Sequence, residues 1–194
     1  RFGDDDPVFL SELFRAAEQA GTTTVGAPHP SCSAPNHPNW FEGINNVLSG
    51  MKSSFRSAFI EFSAWRVIVG ENADDAHLNN AGQYEPCAVA DTLGPDLPAT
   101  GQLDVHEYGS RVIEILLPET LPDWMKITVS ADEQASWAAS LLTWTQEGSV
   151  EITPFTFDSD EAELTFETKD SVKLALVVSQ LDDGDHDLDA MDYT

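Results

Sequence analysis

The spacing of apolar residues changes near residue 100. Before this point they recur every three or four positions, which predicts amphipathic helices separated by two long loops rich in Pro, Asn and Gly. Ser53 or Ser54 is expected to cap the last of these helices, because a serine hydroxyl accepts a hydrogen bond from the first-turn N–H groups. The predicted helices span about 7–20, 39–50 and 53–69, and the predicted loops span 21–39 and 70–104.

From Tyr108 onward, apolar residues alternate with polar ones or form short runs, which predicts β-strands. No helical pattern separates these segments, so an antiparallel sandwich is favoured over a parallel sheet. Residues 172–178 are apolar apart from Lys173, as expected of a central strand. The predicted strands lie at about 108–117, 124–130, 137–145, 149–157, 162–167 and 171–179.

The sequence therefore predicts an α+β fold. An N-terminal helical segment of about three helices is followed by an antiparallel β-sandwich of about six to seven strands. Residues 1–103 are expected to form the helical region with long loops, residues 104–182 the β-sandwich domain, and residues 183–194 an acidic C-terminal tail.

The charge balance narrows the classes of partner. The chain has 9 Lys and Arg against 34 Asp and Glu, a net charge of −25. Nucleic-acid binders and proteins that dock on anionic membranes need clustered basic residues, so neither partner is expected. No apolar run approaches the roughly 18 residues of a membrane span. A surface with this excess of negative charge suits a saline or calcium-containing exterior, which predicts an extracellular or cell-surface protein.

Two cysteines, Cys32 and Cys87, lie in the predicted loops. In an oxidising compartment they are expected to pair, and closing the long loop between them would add about 4 kcal/mol of stability. The alternative is two unrelated thiols in a cytosolic protein. The first residue is Arg1, which suggests a processed product or an excised piece of a longer chain.

Catalytic motifs are missing from the sequence. There is no H-E-x-x-H zinc motif, no G-x-S-x-G elbow and no glycine-rich phosphate loop. His106 is followed by Glu107, but the segment then opens a strand, and the prolines among His29, Cys32 and His37 separate these metal-capable side chains. The chain is therefore not expected to be an enzyme on its own.

Calcium is the candidate ion. Four alternating carboxylates near the C-terminus place oxygen ligands on one side of a loop, as hard cations require. The alternative is a solvated acidic tail, because the run lacks the glycine of a helix-loop-helix calcium site. No other cofactor is expected in this chain. The carboxylates belong to Asp183, Asp185, Asp187 and Asp189.

Five segments carry a family resemblance: 1–5 (RFGDD), 40–44 (WFEGI), 54–65 (SFRSAFIEFSAW), 108–112 (YGSRV) and 174–179 (LALVVS). Together they resemble the C-terminal part of secreted bacterial zinc metallopeptidases of the gluzincin-like, immune-inhibitor-related kind. The resemblance implies a helical end of a peptidase domain joined to a β-sandwich accessory domain. In that family the metal-binding helix lies upstream, so its zinc ligands correspond to no position here.

An aromatic stripe on the last predicted helix needs a partner surface. Phe55, Phe59, Phe62 and Trp65 recur at helical spacing, and part of the stripe would be exposed in a fragment. The expected partner is the upstream peptidase domain or a second copy of the chain. The predicted function is a non-catalytic accessory portion of an exported metallopeptidase that provides stability, docking or surface attachment. The alternative is a structural or adhesion module that self-assembles into extracellular fibres through its sheet edges.

Overall fold

The computed structural model describes most of the chain after residue 39. The helix predicted over 7–20 and the loop predicted over 21–39 lie outside the described residues. The chain divides into two compact units, residues 1–59 and residues 60–194. The described residues are 40–74, 76–77, 80–106, 109–131, 136–155, 157, 160–181 and 189–193, without the side chains of 40–43 and 189–193.

Two helices, α1 (Trp40–Gly50) and α2 (Phe55–Trp65), confirm the predicted positions. The chain leaves α1 through Lys52, whose φ of 61° lies in the left-handed region. Ser54 then caps α2, because its Oγ accepts a hydrogen bond of 3.0 Å from the N–H of Ser57. The sequence therefore determines where α2 begins.

α2 ends at Trp65 instead of continuing to Val69 as predicted. Beyond Trp65 the N–H of Ile68 bonds back only three residues, at 3.0 Å, so the chain tightens into turns. Val67, Ile68 and Val69 are all buried there. Three consecutive residues cannot lie on one face of an α-helix, so leaving the helix is what allows all three to be buried.

Nine strands are described within residues 60–194, and the six predicted strands are among them. Two 3₁₀ turns, Gly70–Asn72 and Ala81–Gln83, precede the strands. The strands are β1 (Asp91–Leu93), β2 (Gly101–Val105), β3 (Ser110–Ile115), β4 (Trp124–Ala131), β5 (Trp137–Thr145), β6 (Val150–Pro154), β7 (Glu161–Glu167), β8 (Ser171–Gln180) and β9 (Asp189–Tyr193).

The strands form two sheets. Sheet 1 has the order β1-β3-β8-β5-β6, and sheet 2 has the order β2-β9-β4-β7. As predicted, the apolar strand β8 is central. The fold is β-rich, as expected, but three expectations are wrong. β1 pairs with β3 in parallel. β1 and most of β2 lie within the predicted loop 70–104, and β9 lies within the predicted acidic tail.

These differences share a physical reason. β1, β2 and β9 are three to five residues long, and their sequences carry too many polar residues to show a strand period. Each is held by backbone pairing to a neighbouring strand, which no local pattern encodes. The predicted domain boundaries at 103/104 and 182/183 stay predictions.

Sheet 1 is covered on both faces. Leu174, Leu176 and Val178 of β8 belong to a buried cluster that also contains residues of β2, β4 and β7, so the two sheets share one core. The alternate residues Ala175 and Val177 belong to a second cluster with the segment 64–68. This double burial explains why β8 and β5 are apolar almost without alternation.

Candidate functional site

An apolar surface pocket lies beside the C-terminal end of α2. It encloses about 440 Å³. Phe62 and Tyr84 border it, and each is 57% exposed. Exposed apolar side chains that adjoin one another around a hollow are a common mark of a binding surface. The pocket is lined by Phe62, Trp65, Arg66, Val69, Tyr84, Glu85 and Cys87.

Arg66 supplies the positive charge at this pocket. Its guanidinium carbon lies 5.9 Å from the centre of the Phe62 ring. Its Nη1 donates to Ser110 Oγ at 3.4 Å, which ties the side chain to β3. A cation beside an aromatic face is attracted by the ring quadrupole, so Arg66 also orients Phe62.

Gly70 allows the opposite wall of the pocket to form. Its φ is +61°, and a Cβ at this position would lie 2.8 Å from the carbonyl oxygen of Tyr84 and 2.9 Å from Cδ of Pro86. Only glycine combines this backbone conformation with so close an approach. The segment that carries Tyr84 therefore packs directly on the turn that follows α2.

The segment after Gly70 is fixed to sheet 1 through Asn72. The indole Nε1 of Trp144 donates to the carbonyl oxygen of Asn72 at 3.0 Å. Lys173 Nζ donates to Asn72 Oδ1 at 2.8 Å and lies 5.5 Å from the Trp144 ring centre. Glu114 lies 3.5 Å from the same Nζ. These contacts join the turn to β3, β5 and β8.

Asp74 fixes the next part of the segment. Its carboxylate accepts hydrogen bonds from the N–H groups of Ala76 and His77 at 3.1 Å, and from the N–H of Val150 at 3.2 Å. Nδ1 of His77 lies 2.8 Å from Oδ2, and the imidazole packs edge-on against Trp65 at 6.2 Å. The one described histidine–carboxylate pair beside the pocket therefore supports the wall that Trp65 forms.

The pKa of Asp74 reflects two opposing effects. Burial favours the neutral acid, but the hydrogen bonds from the His77 side chain and the two N–H groups outweigh it and hold the pKa below the ordinary 3.8. The folded state therefore favours the carboxylate. Its contribution to stability is complete above the unfolded pKa and is lost as the pH falls through the lower folded pKa.

We expect Asp74→Asn to lower the free energy of unfolding by about 2 kcal/mol at pH 7, because a charged acceptor of several hydrogen bonds is replaced by a neutral one. Urea unfolding of the variant and the parent between pH 7 and pH 2 measures the difference. The difference should shrink below about pH 4 as Asp74 protonates in the parent. A difference that stays constant over this range would contradict the role of the charge.

Cys87 lines the pocket and is half-buried, and it has no disulfide partner in the part of the chain that the structure describes. In the thiol form, burial raises its pKa, although the positive charge of Arg66 opposes this. Cys32 lies outside the described residues. The disulfide between Cys32 and Cys87 therefore stays a prediction.

The predicted aromatic stripe separates into two pairs. Phe55 and Phe59 stack on each other with ring centres 6.1 Å apart, and both are half-buried. Phe62 and Trp65 instead line the pocket. The pattern at helical spacing thus identified two of the three aromatic residues that line the pocket. It missed Tyr84, the only aromatic residue in the segment 70–104, whose position depends on Gly70.

The predicted calcium ligands Asp183, Asp185 and Asp187 lie outside the described residues, and Asp189 is described only as the first residue of β9. The calcium site stays a prediction. Among the described residues, no group of three or more His, Cys, Asp or Glu side chains is placed to hold a metal ion. In the same part of the chain, no helix is long and apolar enough to cross a membrane.

Comparison with known proteins finds a likeness to solved structures. No family model matches the chain, and no curated protein matches it. The chain is similar to the solved structure of the pre-peptidase C-terminal domain of a collagenase from Bacillus anthracis, with 12% sequence identity and a TM-score of 0.41. The similarity covers 57% of this chain and 97% of that one.

Proposed function

We propose that this chain is a non-catalytic portion of an exported peptidase, in which the β-rich unit is an accessory domain that docks against a peptidase domain of the same protein. The observation that carries the proposal is the pocket between Phe62 and Tyr84. Exposed aromatic rings around an apolar hollow are typical of surfaces that bind another protein. The resemblance of segments 40–44 and 54–65 to metallopeptidase C-terminal regions supports the same partner.

The contacts around Asn72 and Asp74 support a structural role for this region. The charged and polar side chains beside the pocket hold the chain segments that form its walls. A docking surface needs this kind of rigid support, because a preformed surface loses less conformational entropy when it binds. In this proposal sheets 1 and 2 form a β-sandwich through their shared core.

The proposal places the protein outside the cell. A net charge of −25 keeps such a domain dispersed in saline surroundings, where salt screens its self-repulsion within about 10 Å. Pairing of Cys32 with Cys87, and calcium at Asp183, Asp185 and Asp187 together with Asp189, would add stability there. Both belong to the proposal and are tested by thiol titration and by calcium titration of the full chain.

We expect Phe62→Ala with Tyr84→Ala to weaken binding of the peptidase domain by about tenfold or more, because exposed aromatic anchors dominate protein interfaces. The measurement is calorimetric titration of this chain with the peptidase domain encoded upstream of it, which should contain an H-E-x-x-H motif. Val89→Ala and Val172→Ala are matched controls, since both side chains are about half exposed and lie outside the pocket.

Several outcomes would contradict this function. Equal loss of binding in the control variants would show that the pocket is not the binding surface. An upstream sequence without a zinc motif would contradict a zinc peptidase domain as the partner. The chain alone should cleave no protein substrate, with or without a chelator, and cleavage would contradict the non-catalytic role. Sedimentation of the chain as fibres or long oligomers would favour the alternative, self-assembly through sheet edges.

A further inference from the structure

Arg66 brings a positive charge to the aromatic pocket, in a chain with only 9 Lys and Arg against 34 Asp and Glu. Two other basic side chains lie beside carboxylates, since Lys126 pairs with Glu163 and Lys173 lies 3.5 Å from Glu114. In the part of the chain that the structure describes, no carboxylate lies within ion-pair distance of Arg66. With so many acids available, a basic side chain that pairs with none of them is a distinctive feature of the pocket.

The Arg66 guanidinium is held at the pocket by uncharged groups. Its Nη1 donates to Ser110 Oγ at 3.4 Å, and its carbon lies 5.9 Å from the centre of the Phe62 ring. Neither contact neutralises the charge, and the side chain is exposed. A guanidinium carries five N–H donors, so donors remain for a further acceptor. A carboxylate pairs with these donors best, because it accepts two parallel hydrogen bonds from them.

The pocket beside Arg66 suits an aromatic side chain. Its volume of about 440 Å³ lies in the range of pockets that enclose small ligands. Phe62, Trp65 and Tyr84 contribute their rings to its lining, and Val69 contributes an aliphatic side chain. Aromatic rings attract one another in edge-to-face and offset-stacked arrangements, in addition to the gain from burying apolar area. A ring is therefore the side chain that this lining binds best.

Glu85 limits where an acidic group of the partner can lie. Among the described lining residues, Glu85 alone carries a carboxylate, and it is exposed. It repels a second carboxylate, so the partner's acid is expected on the side of Arg66 and Ser110. Because the guanidinium lies so close to the Phe62 ring, a ring in the pocket and an acid on Arg66 must be neighbours in the partner's chain.

We propose that the pocket binds a segment of the peptidase domain in which an aromatic residue is directly adjacent to Asp or Glu. The ring enters the pocket, and the carboxylate pairs with Arg66. The identity of the partner rests on the function proposed above, whereas the chemistry of the bound segment rests on the pocket and on Arg66. Contacts with Phe62 and Ser110 hold the guanidinium in place before binding, which reduces the entropy lost when the ion pair forms.

Two end-capped peptides, Gly-Gly-Phe-Asp-Gly and Gly-Gly-Phe-Asn-Gly, test this chemistry on the full chain. NMR titration in about 0.15 M salt, where repulsion by the net charge is screened beyond about 8 Å, measures both affinities. The Asp peptide is expected to bind about threefold more tightly, which is the strength of an exposed ion pair. A Gly-Gly-Ala-Asp-Gly peptide lacks the ring and should bind about tenfold more weakly than the Phe-Asp peptide.

Variants of two arginines locate the ion pair. Arg66→Gln keeps a long polar side chain but removes the charge, so the preference for the Asp peptide should disappear. A shift of the Phe62 ring in this variant affects both peptides alike, so the ratio of the two affinities isolates the charge. Arg111→Gln is the matched control, since Arg111 is also exposed but neighbours Ser110 in β3 and so points to the opposite face of sheet 1. It should keep the preference.

Four results would overturn the proposal. These are no binding of any peptide, equal binding of the Asp and Asn peptides by the parent, an unchanged preference in Arg66→Gln, and loss of the preference in Arg111→Gln as well. The last of these would assign the preference to the net charge of the protein instead of to the pocket.

Titration of the same variants with the peptidase domain separates this inference from the docking function. If Phe62→Ala with Tyr84→Ala weakens binding and Arg66→Gln does not, the docking function stands and the role of Arg66 is contradicted. If the peptides show the preference that depends on Arg66 but the peptidase domain does not bind, the chemistry of the bound segment stands and the peptidase domain is contradicted as its source.

Discussion

Replacing Gly70 with alanine is expected to lower the free energy of unfolding by about 3 kcal/mol. Two costs contribute. The left-handed backbone at φ +61° is unfavourable for a residue with a Cβ, and the added carbon would lie 2.8 Å from the carbonyl oxygen of Tyr84. A backbone oxygen and the Pro86 ring can move only if the segment that carries Tyr84 moves. Denaturant unfolding of the full chain measures the loss.

Two other glycines separate these costs. Gly82 has neither a left-handed φ nor an atom within 4 Å of the added carbon, so Gly82→Ala should change stability by less than about 0.5 kcal/mol. Gly148 has a φ of +83° and the same open space, so Gly148→Ala should cost about 1–2 kcal/mol from backbone strain alone. If Gly70→Ala costs no more than Gly148→Ala, the close packing on Tyr84 and Pro86 is contradicted.

Shortening the side chain of either Leu176 or Val177, which are neighbours in β8, should destabilise the fold. Leu176→Ala is expected to lower the free energy of unfolding by about 3–4 kcal/mol, and Val177→Ala by about 2 kcal/mol. Leu176 lies in the core shared by the two sheets, and Val177 lies in the cluster with the segment 64–68. Each truncation leaves a cavity that rigid neighbours cannot fill.

Val172 of the same strand is the control. It is 54% exposed, so Val172→Ala should cost less than about 0.5 kcal/mol. In a sheet with one face in water, neighbouring residues would differ sharply, since only one of them would be buried. A neutral Val177→Ala would therefore contradict the cover that Ala64, Val67 and Ile68 give to sheet 1. Thermal and urea unfolding of the three variants decide between these cases.

The local pattern was a good guide where a segment is long and strongly apolar. The six predicted strands occur within a few residues of their expected bounds, because each buries at least one face and so shows its period in the sequence. The pattern also placed the cap of α2 at Ser53 or Ser54, and the structure selects Ser54, since capping depends on residues one turn apart. Phe62 and Trp65 line the pocket, and the association surface predicted from the stripe of Phe55, Phe59, Phe62 and Trp65 stays a prediction.

The aromatic pocket was predictable only in part. Tyr84 and Val69 join Phe62 because Gly70 permits a close approach between segments separated in sequence. The pairing of β9 with β2 and with residues 129–131 of β4 could not be predicted either, because register between distant strands leaves no local signal.

The β-rich character, the central position of β8, the start of α2 to within one residue and the acidic composition follow from local periodicity, capping chemistry and residue counts alone. The parallel pairing of β1, the strands β2 and β9, and the cover on both faces of sheet 1 become visible only in the folded chain. Those features depend on backbone pairing and packing between residues far apart in the chain, and such contacts leave little trace in the local pattern of apolar and polar residues.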